Sequence, residues 1–206
     1  DAAIRAVDAG FDLIELHAAH GYLLHQFMSP LANKRSDEYG GCFENRIRMA
    51  IETFQSMKAA VPENFPIGVR LSAQDWLEGG WSLEESVELS KQLESLGAAY
   101  IHVSSGGLHA QQDIKIGANY QVPFAEAVKK ALHIPVIAVG LITEALQAES
   151  ILAKGQADAI ALARALLYEP RWPWHAAATL GAKIEIAPQY LRCQPHGVKS
   201  LFKPFQ

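Results

Sequence analysis

The sequence predicts an α/β fold built on parallel strands, and three observations predict it. Short apolar runs alternate with amphipathic helical stretches along the whole chain. Each run comes with a Gly or Pro signal near its start, as buried strands do. Polar and glycine residues collect at the C-terminal ends of the runs, which is where a (β/α)8 barrel carries its chemistry.

The strand runs are Phe11–His17, Pro66–Ser72, Ala99–Ser105, Ile134–Gly140 and Ala157–Ala163. Between them, Glu44–Ala60 places Ile47, Ile51 and Phe54 on one helical stripe. Ser82-Leu83-Glu84-Glu85 is a capping box, and the helix that it opens stops at Gly97. Thr143 caps a helix through Lys154 that Gly155 ends, and a last helix follows Pro170. No linker composition or low-complexity tract interrupts the pattern, so residues 1–206 read as a single domain.

Five parallel strands fit either an open doubly wound sheet or five-eighths of a barrel. No G-x-G-x-x-G follows any strand, which weakens the dinucleotide-binding option. A full (β/α)8 barrel takes about 250 residues, and this chain has 206. Counted backwards from the last run, the strands are numbers four to eight of a TIM barrel, with strands one to three expected to be absent.

Half of the residues are hydrophobic, and the formal charge is −4 with no basic block. That argues against nucleic acid or an anionic membrane as the main partner. No apolar run approaches a membrane span, and no signal-peptide pattern is present. The two cysteines, Cys42 and Cys193, make no C-x-x-C pair, so no metal or cluster site is indicated and a cytoplasmic setting is expected.

The strand ends offer His17, His20 and Tyr22 first, then Arg70 with Ser72, Ser104-Ser105-Gly106-Gly107, Gly140, and finally Ala163-Arg164. Gly140 lets a backbone approach closely, and Arg164 adds a charge-assisted contact, so the last two ends fit a phosphate. A plain turn and a surface helix cap explain them equally well. Two imidazoles can hold one oxygen while a phenol supplies a proton; a structural role for the histidines is the competing explanation. Arg70 points towards the barrel mouth, or else pairs with a loop carboxylate such as Asp75.

His17-Ala-Ala-His-Gly-Tyr-Leu, then Gln26-Phe-Met-Ser-Pro-Leu-Ala-Asn and Arg35-Ser-Asp-Glu-Tyr-Gly-Gly, resembles the signature of the old yellow enzyme family. Glu44-Asn45-Arg46, Val69-Arg70-Leu71-Ser72, Val139-Gly140-Leu141-Ile142 and Ala163-Arg164-Ala165-Leu166-Leu167 continue it in order. Trp172-Pro-Trp-His and Gln189-Tyr-Leu-Arg are most similar to its bacterial, xenobiotic-reductase-like branch.

The resemblance implies a TIM barrel that holds FMN, takes its electrons from NAD(P)H and reduces activated C=C bonds of enones or nitro compounds. His17 and His20 are implied as catalytic and substrate-binding donors to the substrate oxygen, and Tyr22 as the proton donor. Arg70, Gly140, Ala163 and Arg164 are implied as cofactor contacts. A homo-oligomer is implied too, with Arg192 reaching a neighbouring subunit. His25 stands where the resemblance leads one to expect Asn, and Cys42 where it leads one to expect Ser; both are expected to lie away from the ring and matter little. Two alternatives stand beside this: a flavin-free, phosphate-binding isomerase or aldolase barrel, and a catalytically silent truncated barrel.

Overall fold

The computed structural model describes residues 1–198 and 200–205. The chain divides into two compact units, residues 1–141 with 155–161, and residues 142–154 with 162–206.

The first unit is a five-stranded sheet with helices. Its strands are β1 (Ile14–Ala18), β2 (Ile67–Ser72), β3 (Tyr100–Ser104), β4 (Val136–Ala138) and β5 (Ala159–Ile160). All pairs are parallel and the spatial order is β1-β2-β3-β4-β5. A doubly wound sheet reverses its order at a switch point; this sheet never does. The strands form an arc of a (β/α)8 barrel.

Parallel partners in register share a face. Leu16, Val69, Ile101 and Val136 lie in one row, and Ala18, Leu71, Val103 and Ala138 in the next. All are buried beneath the helices. Those helices are α1 (Ala2–Asp8), α2 (Leu23–Met28), α3 (Phe43–Ala60), α4 (Leu83–Ser95) and α5 (Val122–Ala131). Phe54 and Ile47 of α3, Leu89 and Leu93 of α4 and Val128 of α5 are buried, so the apolar stripe of each helix meets the sheet layer. The Ser82–Glu85 capping box forms as its spacing predicts. Arg46, from the Glu44-Asn45-Arg46 motif, clamps Glu85, the Met28 carbonyl and the Gly41 carbonyl, tying α3 to α4 and to the end of α2.

The opposite face of the sheet is polar. One row holds Glu15, Gly68 and Tyr100, the next His17, Arg70 and His102, and a third Ser72 and Ser104. Gly68 is required: a Cβ there would fall 2.1 Å from the ring of Tyr100. That ring reaches across to Glu15, which also accepts from His102 Nδ1 at 3.0 Å.

The second unit holds α6 (Ala145–Ala153), α7 (Arg164–Tyr168), α8 (Trp172–Leu180), a 3-10 turn at Pro188–Cys193, and the short parallel pair β6 (Ile184–Ile186) and β7 (Phe202–Pro204). Ala177, Ile186, Leu201 and Phe202 form its core with Trp174 packed against them. One expectation is corrected here. The N-cap of α6 is Glu144 rather than Thr143, because the Gln147 side-chain oxygen takes the N–H groups of both residues. The last helix follows Pro170 as expected, starting at Trp172 with Pro173 in its first turn, and the short α7 precedes it. Among the described residues, no helix is long and apolar enough to cross a membrane.

Candidate active site

The polar face and the loop that follows β1 bring four of the expected residues together. His17 is in β1, paired in register with Arg70 of β2. The ring centroids of His17 and His20 are 5.4 Å apart, and those of His17 and Tyr22 are 5.1 Å apart. Tyr22 is 64% exposed, so its phenol is open to a bound molecule.

The His20-Gly21-Tyr22 turn is held by the neighbouring strand ends. His20 and Gly21 both have positive φ, at 57° and 75°, and a histidine in that region needs outside support. Ser72 supplies it from β2 by accepting the His20 N–H at 2.9 Å while donating to the Gly106 carbonyl. Ser104 of β3 lies 2.7 Å from His20 Nε2. A Cβ on Gly21 would fall 2.4 Å from the Gly107 carbonyl oxygen, and one on Gly107 would fall 2.6 Å from His20 Cα. These two loops meet only because both positions are glycine.

His25 is a correction to the expectation that it matters little. It is fully buried and accepts the Gly21 N–H on Nδ1 at 2.9 Å. An N–H donating to Nδ1 leaves the ring proton on Nε2, which lies 2.8 Å from Asp75 Oδ1. Asp75 is also fully buried, and accepts from Ser29 at 2.5 Å and from the Trp81 N–H at 2.8 Å. Burial raises the Asp75 pKa, but the hydrogen bonds from His25, Ser29 and Trp81 outweigh it and the net shift is downwards. Asp75 is thus committed to His25 and not to Arg70.

Arg70 Nε is buried and has no hydrogen-bond partner among the described residues. A buried guanidinium donor without an acceptor is costly, so the position fits a bound group that presents an acceptor or negative charge there. The histidines feel this cation too. Burial lowers the His20 pKa to about 4, with Arg70 and His17 adding to it. Burial and Arg70 lower that of His17. Both rings are neutral at neutral pH, as donors to an oxygen in an electrostatic site can be.

Gly140 follows β4 with φ 115°, a conformation suited to glycine, and a Cβ there would meet Gln121 Nε2 at 2.4 Å. It belongs to the first unit. Ala163 and Arg164 belong to the second, as the N-cap and first residue of α7. There Arg164 lines a cavity of about 590 Å³ with Tyr168, Glu169, Trp172 and His175. The residues that sequence reasoning missed are His25, Asp75 as its partner, and Gln121. The signal for His25 was present, four residues beyond Gly21 and within the specific signature.

Residues 1–182 match the model of the NADH:flavin oxidoreductase / NADH oxidase family. The chain is 45% identical over 190 residues to an NADPH dehydrogenase of Geobacillus sp. (strain WCH70), covering 92% of this chain and 55% of that protein. Its fold is similar to that of a 2-naphthoyl-CoA reductase in complex with 2-naphthoyl-CoA, with TM-score 0.78, 27% identity, and 88% of this chain and 28% of that one covered. It is likewise similar to morphinone reductase in complex with tetrahydroNAD, with TM-score 0.70, 27% identity, and 98% and 50% covered. The chain spans about half the length of the NADPH dehydrogenase that it matches. A flavin-free isomerase or aldolase is set aside by these matches. With a sequential parallel sheet and strand ends of this chemistry, the chain belongs to the NADH:flavin oxidoreductase / NADH oxidase family and is part of a TIM barrel of that kind.

Proposed function

We propose that this chain is the strand-four-to-eight portion of a single barrel domain in an FMN-dependent NAD(P)H oxidoreductase that reduces activated C=C bonds of enones and nitroalkenes. The observation that carries the reading is one cluster: His17, His20 and Tyr22 at the end of β1, beside an Arg70 whose buried Nε lacks an acceptor. The family match, which covers residues 1–182, supports the oxidoreductase reading. FMN, reduced by NAD(P)H, supplies the hydride when bound.

Arg70 would hold the electron-rich part of the flavin; Gly140 in the first unit, and separately Ala163 and Arg164 in the second, stay proposed as cofactor contacts on the family resemblance alone. His17 and His20 donate to the substrate's carbonyl or nitro oxygen, so the charge that develops there meets donors already in place. Tyr22 gives its phenolic proton to the α-carbon. Ser72, His25 and Asp75 hold the turn that carries His20 and Tyr22, so little reorganisation accompanies the reaction. Exposed, free Cys42 and Cys193 support a reducing, cytoplasmic setting. A homo-oligomer remains part of the proposal, on the family resemblance alone.

The test uses the full-length enzyme. Tyr22→Phe should slow reduction of an enone by about 10²–10⁴-fold, the usual worth of a positioned acid, while leaving reduction of the flavin by NADPH near its normal rate. Equal slowing of both half-reactions removes Tyr22 from the donor role.

A further inference from the structure

Trp76, in the loop that follows β2, has a φ of 57°, where a bulky side chain is a steric outlier. Such a conformation persists only where the surroundings over-determine it. Three backbone hydrogen bonds do so here. The Asp75 N–H donates to the Trp81 carbonyl at 3.0 Å, the Gly106 N–H to the Gln74 carbonyl at 2.9 Å, and the Asp113 N–H to the Trp76 carbonyl at 3.0 Å. The last two donors belong to the loop between β3 and α5, which therefore grips the chain on either side of Asp75.

The indole ring carries this anchoring towards the His20-Gly21-Tyr22 turn. It packs on Phe124 and Tyr120, with ring centroids 5.4 and 6.4 Å away. A Cβ on Gly106 would fall 3.2 Å from its Cδ1. Its Nε1 is buried and has no hydrogen-bond partner among the described residues, so the ring acts by contact and not through its N–H. Gly106 passes the contact on by two routes. Its carbonyl accepts from Ser72, the hydroxyl that also takes the His20 N–H. Its neighbour Gly107 lies against both His20 and Gly21. Asp75, next to Trp76, reaches the same turn through His25 and the Gly21 N–H. We propose that Trp76 is a positioning residue: its strained turn sets Gly106 and Gly107 against the His20-Gly21-Tyr22 turn, which Asp75 holds through His25.

This inference rests on the reading of that turn as the carrier of an oxygen donor and a proton donor, and deepens it by naming what sets its geometry. The test pairs amide spectra of the ¹⁵N-labelled chain with the two half-reactions of the full-length enzyme. Trp76→Ala should shift the Gly21 and Tyr22 amide signals. It should also slow enone reduction by about 10²-fold, the order that a misplaced group costs, with flavin reduction by NADPH near its normal rate. Trp76→Phe, which keeps an aromatic ring against Gly106, should stay close to the wild type in both. Unshifted Gly21 and Tyr22 signals in a folded Trp76→Ala chain overturn the proposal. Equal slowing of both half-reactions, the mark of a merely structural loss, overturns it too. Shifted signals with enone reduction at the wild-type rate instead overturn the catalytic reading of the turn and leave the contact path standing. If Trp76→Ala does not fold, Gln112→Ala tests the same path, because the Gln112 side-chain oxygen accepts the Gly107 N–H at 2.7 Å. It should shift the same two amide signals, and unshifted signals overturn the proposal.

Discussion

His20 sits where three strand ends converge, and its titration follows from that position. Its backbone is held by Ser72, its ring by Ser104, and its charge is opposed by burial and by Arg70. An imidazole in the unfolded chain takes a proton near its ordinary pKa of 6.5, whereas the folded one does so at about 4. Between those values the unfolded state binds more protons, so stability rises with pH across the window and is lost as pH falls through it. His17, also lowered, adds the same sign. The urea midpoint should therefore drop as pH is lowered from about 6.5 towards 4, and His20→Gln should flatten the slope; a wild-type midpoint that is flat across this window would contradict the assignment. At this scale the sequence made His17, His20, Tyr22 and Arg70 legible, because they stand at strand ends. Asp75, Ser104 and Gln121 matter through partners 50, 84 and 17 residues away, and no local pattern encodes such pairings.

Elements were legible where their chemistry is local. The Ser82–Glu85 box needs only residues three apart, and both of its hydrogen bonds form, at 3.2 and 3.0 Å. Ser82→Ala should cost about 1 kcal/mol of stability, read as a lower denaturation midpoint with an unchanged slope; an unaltered midpoint would mean that the cap contributes nothing. Thr143 looked equally suitable, but Gln147 sits one turn further on and its oxygen moved the cap to Glu144. The strands are shorter than the apolar runs because hydrogen bonding stops where the chain turns into the site loops. Thus β4 ends at Ala138, although the run continues to Gly140. The pair β6 and β7 was not legible at all, since each strand has three residues and they meet from positions 184 and 202.

For the whole molecule, the decisive feature is the sequential, all-parallel order of five strands with one apolar and one polar face. The alternation of runs and helices predicts the parallel sheet, and the strand-end chemistry predicts the barrel. The division into two compact units was hidden, because the boundaries fall within a regular strand–helix repeat, at residues 141–142, 154–155 and 161–162, with no linker composition to mark them. The open question at this scale is whether the face that carries Arg70 receives a flavin. Titration of FMN with this chain, followed by flavin fluorescence, tests that most directly. The account predicts saturable binding that weakens at least about tenfold in Arg70→Gln, since a charge-assisted hydrogen bond is worth about 1.5–3 kcal/mol. Binding that is equal in both chains, or no saturable binding in the wild type, would contradict it.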